Sequence, residues 1–374
     1  MTDHPISGYV ASGFEPVQEV FEATFAADEE LGAGFSVFLD GDLVIDLRGG
    51  WMDRAKTKIW DETTIVPVYS TTKPIAALVL ASVIEVLPGG YETPVSEIWP
   101  EFEAAGKAHV TIAEMVSHQA GLTGFPDPID PSLWLDPPAC AAALAELTPL
   151  WEPGTAHGYH PLSWGYLIGE LVRRIDGRTL GTVLREDIAG PAKIDFQIGT
   201  PQSEHGRIAD IMRPRALPEL GEINQATRAA FLTKWAAPDR GGAVWREIEI
   251  PSANGHGSAR AVAELYGIYA HQGRLADRQV IAPAVFEELT TSRTKGPDLV
   301  LPYITEFAAG VMRNNIGLYG PNPNTLCHSG WGGSLALGDP DRGLSAAYVM
   351  NRQSNRLQGD PRATRLVQAL YGCL

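Results

Sequence analysis

The stretch VYSTTKPIAALVL, residues 68–80, places Ser70 three residues before Lys73 at the start of a long apolar run. At the beginning of a helix this spacing puts both side chains on one face. The lysine amine can then take the proton of the serine hydroxyl, and the N–H groups of the helix start can stabilise a developing oxyanion. The stretch therefore predicts Ser70 as a nucleophile and Lys73 as its base. Capping of a buried helix by Ser70 is the alternative.

The Ser-x-x-Lys spacing occurs a second time, at Ser292 and Lys295. A Gly-Pro pair follows Lys295 directly, and proline would end a helix at that point. Residues 74–87, after the first motif, are instead apolar almost all round, which predicts a buried helix. The context therefore favours Ser70 as the reactive serine.

Two further segments carry side chains that could take part in chemistry. The stretch WEPGTAHGYHPLSWGYLIGE, residues 151–170, places Tyr159 in a glycine-flanked loop directly before a predicted helix. The stretch LCHSGWGGSLALGDP, residues 326–340, leads a His-Ser-Gly-Trp-Gly-Gly run into a predicted strand. Glycines in such a run let the backbone approach a substrate closely. A lone tyrosine most often packs against its neighbours, so Tyr159 by itself leaves packing and catalysis open.

Five segments, in their order and spacing, resemble the serine β-lactamase and penicillin-binding-protein superfamily. Within it the chain looks most like the class C β-lactamase-like carboxylesterases, also called family VIII esterases. The resemblance covers nearly the whole chain and rests on Ser70-Thr-Thr-Lys73, SHQAGL (117–122), WEPGTAHGYH (151–160), NGHGSARAVAELY (254–266) and HSGWGGS (328–334). It implies a β-lactamase/transpeptidase-like fold.

By this resemblance, Ser70 is the nucleophile and Lys73 the general base or proton relay. Tyr159 occupies the position of the class C tyrosine, which shares the proton with the lysine. A lysine in a closed, apolar site has a lowered pKa and can accept a proton near neutral pH. The resemblance also implies an oxyanion hole made by the backbone N–H groups of Ser70 and Trp331. No cofactor and no metal are expected.

The third motif departs from the Lys-Thr-Gly of the β-lactamases, because this chain has His328-Ser329-Gly330. The lysine that helps to bind substrate carboxylates is therefore absent from that motif. Trp331 and Phe125 are expected to narrow an apolar acyl pocket. The predicted substrate-binding residues are therefore the three of this motif together with Trp331 and Phe125. The sequence has neither a Ser-Asp-Asn nor a Glu-x-x-Leu-Asn motif, which argues against class A deacylation chemistry.

These features predict a serine hydrolase that acts on short-chain carboxylic esters through an acyl-enzyme on Ser70. Weak β-lactamase activity is compatible with this prediction, because both reactions form an acyl-enzyme. The first alternative is a β-lactamase, a D-alanyl peptidase or an amide hydrolase of the same superfamily. The second is a non-catalytic binding protein on the same fold, since fold alone does not guarantee activity.

Other candidate sites are weaker. Ser334 lies in a Gly-Gly-Ser-Leu-Ala run that resembles the Gly-x-Ser-x-Gly elbow of α/β-hydrolases, but a strand follows it and the last glycine is missing. His157 and His160 have a spacing found in zinc sites, yet no third ligand is evident, and support of Tyr159 is the favoured role. His118 and His256 are expected to be structural.

The pattern of elements predicts an α/β (α+β) protein. Amphipathic helices are predicted for 14–30 and 362–374, and strands for 34–51 and for much of 306–351, with an Asp-Gly hairpin turn at residues 40–41. Residues 88–250 are predicted as helix and loop, and residues 254–273 as a helix with Ser258 as its N-cap.

Strands and helices from both ends of the chain therefore suggest one discontinuous region, with a mainly helical insertion between them. The predicted α/β domain comprises 1–72 and 255–374 and contains a central antiparallel sheet flanked by helices. The predicted helical domain comprises 73–254, and the active site is expected between the two.

The chain has 374 residues and a formal net charge of −16, with no basic stripe, so nucleic acid is not an expected partner. No apolar stretch approaches the roughly 18–20 residues that span a bilayer, and the first residues lack the pattern of a signal peptide. Cys140, Cys327 and Cys373 lie far apart, as expected for reduced thiols. A cytoplasmic location and a small-molecule ester partner are therefore predicted, while the oligomeric state stays open.

Overall fold

The structure, a computed structural model, describes residues 4–236 and 241–374. Residues 1–3 and 237–240, which belong to the predicted α/β and helical domains, lie outside the described residues. The helices are α1 (Glu15–Ala26), α2 (Thr72–Ile84), α3 (Val95–Ile98), α4 (Ile112–Val116), α5 (Pro137–Glu146), α6 (Ser163–Asp176), α7 (Leu180–Val183), α8 (Gly190–Ala192), α9 (Gln225–Phe231), α10 (Ala243–Glu247), α11 (Ala259–Ala270), α12 (Pro283–Thr290) and α13 (Pro361–Gly372).

The strands are β1 (Ile6–Val10), β2 (Gly32–Leu39), β3 (Asp42–Gly50), β4 (Val66–Pro67), β5 (Phe196–Ile198), β6 (Gly255–Gly257), β7 (Arg274–Leu275), β8 (Arg278–Gln279), β9 (Thr294–Pro297), β10 (Ile304–Phe307), β11 (Met312–Arg313), β12 (Leu326–Ser329), β13 (Leu335–Asp339) and β14 (Leu344–Met350). Short 3-10 segments lie at Tyr69–Thr71, Gly90–Glu92, Pro100–Gly106, Leu133–Leu135 and Gln202–Arg207, and a π-helical segment at Leu184–Ala189.

The largest sheet of the described residues is antiparallel, in the order β1-β3-β2-β14-β13-β12-β11-β10-β9. The pairing of β2 with β14, which sets Val37 opposite Ala346, joins the start of the chain to its end. The predicted hairpin is present, with positive φ at both Asp40 and Gly41. β1 was not predicted from the sequence, because its residues are mostly exposed and show no alternation of apolar and polar positions.

Helices cover the two faces of this sheet. Phe35 and Val37 of β2 pack with α1 and α13 in one apolar cluster, whereas Ala347 and Val349 of β14 belong to the other cluster, with α11. Neighbouring side chains of a strand point to opposite faces, so one sheet can contribute to both clusters. The predicted α/β arrangement of an antiparallel sheet flanked by helices is therefore observed.

The helix that follows the Ser-x-x-Lys motif is buried, as predicted, with only one partly exposed residue in α2. Pro74 lies in its first turn, where the missing N–H would have no partner within the helix. Two tyrosines of α11 anchor this helix start, because Tyr266 Oη donates to the Thr71 carbonyl at 2.9 Å and Tyr269 Oη to the Pro74 carbonyl at 2.8 Å. The helix is thereby fixed to the layer that covers the sheet.

Three predicted elements differ in detail. The segment 306–315 is the end of β10, a turn at Gly310 with φ of +86°, and β11, so it is two strands with a break. The predicted helix over 254–273 begins as β6, and the helix proper starts after Ser258, whose side chain caps it as predicted. Residues 88–250 also contain β5, which forms a small sheet with β4 and β6. The proposed domain boundaries stay a prediction.

Within residues 4–236 and 241–374, no helix has the length and apolar composition that crossing a membrane requires.

The Ser258 cap gives a test of how the helix behind the sheet is stabilised. The Ser258 side chain accepts a hydrogen bond from the Ala261 N–H at 3.2 Å. Ser258→Ala leaves this N–H without its acceptor and should lower the free energy of unfolding by about 1 kcal/mol, measured by urea denaturation. Ser258→Asp, which keeps an acceptor, is the matched control. Equal losses in the two variants would contradict the capping role.

Candidate active site

Ser70 lies in the 3-10 turn Tyr69–Thr71, directly before α2. The preceding Tyr69 has a φ of +50°, in the left-handed region that costs a non-glycine residue about 1 kcal/mol. The turn is held from one side by the Val68 N–H, which donates to the Gly255 carbonyl at 2.9 Å. Both Tyr69 and Ser70 line a cleft between the large sheet and the helical part of the chain.

Lys73 is fully buried, and its amine nitrogen has three neighbours that can form hydrogen bonds. Nζ donates to the Pro161 carbonyl at 2.8 Å and to the Ser252 carbonyl at 3.0 Å, and it lies 3.4 Å from Ser70 Oγ. Burial holds the pKa of this amine well below its usual range, which favours the neutral form. A neutral amine has two N–H groups and one lone pair. With both N–H groups given to carbonyls, the lone pair is left for the Ser70 hydroxyl proton.

The Tyr159 ring completes the enclosure of this amine. Lys73 Nζ lies 4.6 Å from the ring centroid, close enough for the ring face to stabilise the ammonium that forms when the lysine takes a proton. The Tyr159 hydroxyl is buried and makes no well-formed hydrogen bond within the described part of the chain. Burial raises the pKa of this hydroxyl, and the neighbouring Ser70 side chain offsets the rise only in part. Tyr159 is therefore a phenol, able to donate its proton.

Histidines support the loop that carries Tyr159. His160 Nε2 accepts from the Leu122 N–H at 2.9 Å, and His118 Nδ1 accepts from the His160 N–H at 3.2 Å. Burial lowers the pKa of His160 to about 3 and that of His118 well below its usual value, so both rings are neutral. Across residues 4–236 and 241–374, no group of three or more His, Cys, Asp or Glu side chains could hold a metal ion. The hydrogen bonds of His118 and His160 hold the loop that carries Tyr159.

The loop after β12 is tied to the nucleophile turn by a serine and a glycine. Ser334 Oγ donates to the Val68 carbonyl at 2.7 Å and lies 3.0 Å from Thr71 Oγ1. A Cβ on Gly330 would lie 2.3 Å from the Val68 carbonyl oxygen, so only glycine permits this approach. Trp331, between them in sequence, lines the cleft together with Ser70. The pairing of the Ser70 and Trp331 backbone N–H groups as an oxyanion hole stays a prediction. The Ser334 hydroxyl is engaged in the contacts with Val68 and Thr71.

His328 and Ser329 of β12 both line the cleft, as the sequence predicts. Burial, followed by the proximity of Lys73, lowers the pKa of His328 to about 3. The residue at the position of the β-lactamase lysine is therefore neutral. Ser329 Oγ is 2.7 Å from Tyr319 Oη, which in turn accepts from Gln358 Nε2 at 3.3 Å. This hydrogen-bond chain is polar but uncharged.

The cleft is small, with a cavity volume of about 60 Å³, and mostly apolar. Its described lining contains no lysine and no arginine. Trp331 and Phe231 face each other there with ring centroids 6.3 Å apart. The prediction that Phe125 lines the acyl pocket is wrong, because its ring is buried in the core with its edge against Trp235, at a centroid distance of 4.9 Å.

Several lining residues carried no signal in the sequence. They come from separate loops and short elements, and only the fold brings them together: Phe231, Ala253, Leu301, Tyr303, Met312, Leu357 and Gln358. The second Ser-x-x-Lys motif is excluded by the same structure. Thr294–Pro297 form a strand, and Lys295 pairs with Glu306 at 2.8 Å on the surface.

Comparisons with known proteins agree with this geometry. The Beta-lactamase family matches residues 17–370. The chain belongs to the β-lactamase family. It is 31% identical over 353 residues to a Mycobacterium tuberculosis protein named "Esterase/beta-lactamase LipL", covering 91% of this chain and 81% of that protein.

Two solved structures show the same fold over almost the whole chain. A novel penicillin-binding-protein homologue from Caulobacter crescentus is 50% identical with a TM-score of 0.96, covering 99% of this chain and 100% of the other. A family VIII carboxylesterase is 37% identical with a TM-score of 0.91, at the same coverages. The predicted family and the β-lactamase/transpeptidase-like fold are therefore confirmed.

The two roles assigned to the serines can be separated by one substitution. Ser334→Ala removes the 2.7 Å hydrogen bond to the Val68 carbonyl and leaves that carbonyl the Thr71 N–H at 3.3 Å, which should lower the free energy of unfolding by about 0.5–1.5 kcal/mol. It should not remove the nucleophile, so a fluorophosphonate probe should still label Ser70, as identified by peptide mass analysis. Ser70→Ala is the matched control and should show no adduct. Loss of labelling in a folded Ser334→Ala protein would contradict this division of roles.

Proposed function

We propose that this protein is a carboxylesterase that hydrolyses short-chain, uncharged esters through an acyl-enzyme on Ser70. The observation that carries the proposal is the geometry of Lys73, whose buried Nζ donates to two carbonyls and lies 3.4 Å from Ser70 Oγ. In the neutral form that burial favours, the lone pair is the part of the amine left for the Ser70 proton. This arrangement opens into an apolar cleft without a cationic lining side chain among its described residues.

In the acylation step, Ser70 Oγ attacks the ester carbonyl carbon as its proton moves to Lys73 Nζ. The carbonyl electron pair moves onto oxygen, and the backbone N–H groups of Ser70 and Trp331 are proposed to stabilise that oxyanion. Collapse of the tetrahedral intermediate breaks the bond to the alcohol oxygen. The departing oxygen takes the proton from Tyr159, which recovers one from Lys73.

In the deacylation step, a water molecule takes the place of the alcohol and attacks the acyl carbon. Its proton passes back through Tyr159 and Lys73, and Ser70 leaves with a proton restored. The raised pKa of Tyr159 keeps its hydroxyl protonated, so that it can pass a proton on as it receives one from Lys73, whereas the lowered pKa of Lys73 favours its role as the base. No cofactor enters either step.

The charge of the cleft supports a neutral substrate. A β-lactam or a peptide C-terminus carries a carboxylate, and burial of that charge without a cationic partner is costly. His328 is neutral and the Ser329 chain is uncharged, so neither supplies the partner. The small cavity volume of the cleft supports a short acyl group.

A β-lactamase or D-alanyl peptidase is the second candidate, because similar proteins carry β-lactamase and penicillin-binding-protein names. A non-catalytic binding protein is the third. A cytoplasmic location and a small-molecule ester as the partner stay predictions.

Substrate competition distinguishes these candidates. The kcat/KM for p-nitrophenyl acetate and butyrate should exceed that for longer esters, because the cleft is small. It should also exceed the kcat/KM for the cephalosporin nitrocefin, because nitrocefin brings a carboxylate into the uncharged cleft. Ser70→Ala should abolish all of these activities. Higher kcat/KM with nitrocefin than with every ester would favour the β-lactamase. No turnover together with no fluorophosphonate adduct on folded protein would favour the binding protein.

The pH profile tests the assignment of the base. Activity requires Lys73 without its proton, so kcat/KM should fall as the pH drops through the pKa of Lys73. Since burial lowers this pKa, the rise in activity should be complete well below the usual lysine value of 10.5. The raised pKa of Tyr159 predicts no decline before pH 10.0, the usual tyrosine value. A rise centred near the ordinary lysine pKa would contradict Lys73 as the buried base, and Tyr159→Phe should lower the plateau without moving the acid limb.

A further inference from the structure

We propose that Asp298 is a positioning residue, which ties the catalytic Tyr159 to the wall of the cleft through one carboxylate. The proposal rests on the proposed function of Ser70, Lys73 and Tyr159. Asp298 lies at the end of β9, outside the sequence motifs, and its side chain touches none of the reacting groups identified above. Its effect on the reaction would come from the position in which it holds the backbone of Tyr159.

One carboxylate oxygen joins two segments that are far apart in sequence. Asp298 Oδ1 accepts from the Tyr159 N–H at 3.0 Å, from the Val300 N–H at 2.8 Å and from the Leu301 N–H at 2.9 Å. Leu301 and Tyr303, on the same loop, line the cleft. The catalytic tyrosine and one wall of the substrate cleft therefore share a single acceptor atom.

The second oxygen extends this link to a histidine. Asp298 Oδ2 accepts from Thr305 Oγ1 at 3.2 Å, and Thr305 Oγ1 lies 2.9 Å from His157 Nε2. A hydroxyl has one proton, so Thr305 accepts from His157, whose proton must be on Nε2. The His157 carbonyl in turn accepts from the Leu299 N–H at 3.1 Å, which closes a ring of contacts between the two segments.

The Tyr159 ring is held by packing, and Asp298 adds a fixed point at its backbone. Phe307 stacks on the ring with a centroid distance of 6.2 Å and an interplanar angle of 13°, and the His118 and His328 rings lie at 5.0 and 5.9 Å. These contacts act on the ring, whereas the Asp298 carboxylate holds the Tyr159 N–H and so sets where the side chain leaves the backbone. A displacement of about 1 Å at a proton-transfer group can cost about 100-fold in rate, so loss of the anchor should act on kcat.

The effect of the amide variant distinguishes hydrogen bonding from packing. In Asp298→Asn the amide oxygen can still accept from the three backbone N–H groups, so the position of Tyr159 is largely kept. The amide nitrogen can only donate to Thr305, which must then turn its own proton toward His157 Nε2. His157 should consequently change from the Nε2–H to the Nδ1–H tautomer, which long-range 1H–15N correlation spectra report directly.

The test compares Asp298→Ala and Asp298→Asn with wild type, each alone and combined with Tyr159→Phe, on p-nitrophenyl acetate. Asp298→Ala should lower kcat about 10- to 100-fold, with a rise in KM because the wall also loosens, and Asp298→Asn should recover most of kcat. In the Tyr159→Phe background the kcat loss caused by Asp298→Ala should shrink to about threefold or less, while the rise in KM persists. Asp339→Ala is the matched control.

Asp339 is a suitable control because it is also a buried carboxylate that accepts several hydrogen bonds, from Asn322, Asp341 and Tyr371. It lies at the end of β13 that is farther along the chain from the loop that carries Trp331. It should lower stability without changing the tautomer of His157. An equal kcat loss from Asp298→Ala in both backgrounds, or an unchanged His157 tautomer in Asp298→Asn, would overturn the proposal.

Failure of the proposed function gives a different result. In that case wild-type protein would hydrolyse none of the esters and would form no fluorophosphonate adduct. The His157 spectra would still decide whether Asp298 organises the loop, because an Nδ1–H tautomer in wild type would refute the hydrogen-bond ring by itself.

Discussion

The structure depends on one buried amine, that of Lys73. A buried ammonium without a counter-ion is unstable, and burial therefore lowers the pKa of Lys73, which favours its proposed role as the base. The two carbonyls that accept from it, those of Pro161 and Ser252, fix the direction of the remaining lone pair. The reactivity assigned to Ser70 follows from this constraint, since the serine hydroxyl is the group left opposite that lone pair.

The two carbonyls must be brought together from distant parts of the chain. Ser252 Oγ donates to the Leu162 carbonyl at 2.9 Å, and a Cβ on Gly165 would lie 2.6 Å from the Ser252 nitrogen. The loop before β6 can therefore approach α6 only because position 165 is glycine. Tyr266 and Tyr269 fix the other side of the site, where α2 starts. The base is thus held by the packing of both regions of the fold.

The same cleft limits the kind of substrate that the site can accept. Burial disfavours the charged form of Lys73, and neither His328 nor the chain from Gln358 through Tyr319 to Ser329 adds a charge. A site without fixed charge favours uncharged esters, whereas the mechanism itself would serve an ester or a lactam equally. Under the proposed function, specificity would therefore lie in the cleft wall, and the proposed anchor at Asp298 would connect that wall to the proposed proton relay.

The sequence by itself identified the family through the order of its motifs, and it predicted Ser70 as the nucleophile and Lys73 as its base, because spacing at the start of a helix sets which side chains share a face. The motif order also predicted the role of Tyr159. The sequence also determined the buried α2, the hairpin and the Ser258 cap, which depend on local patterns. Only the tertiary structure decided that Phe125 packs in the core, that Phe231 and Gln358 line the cleft, and that Asp298 holds Tyr159. These outcomes depend on the directions of backbone groups and side chains from segments far apart in the chain, and those directions are set by packing, which no local spacing specifies.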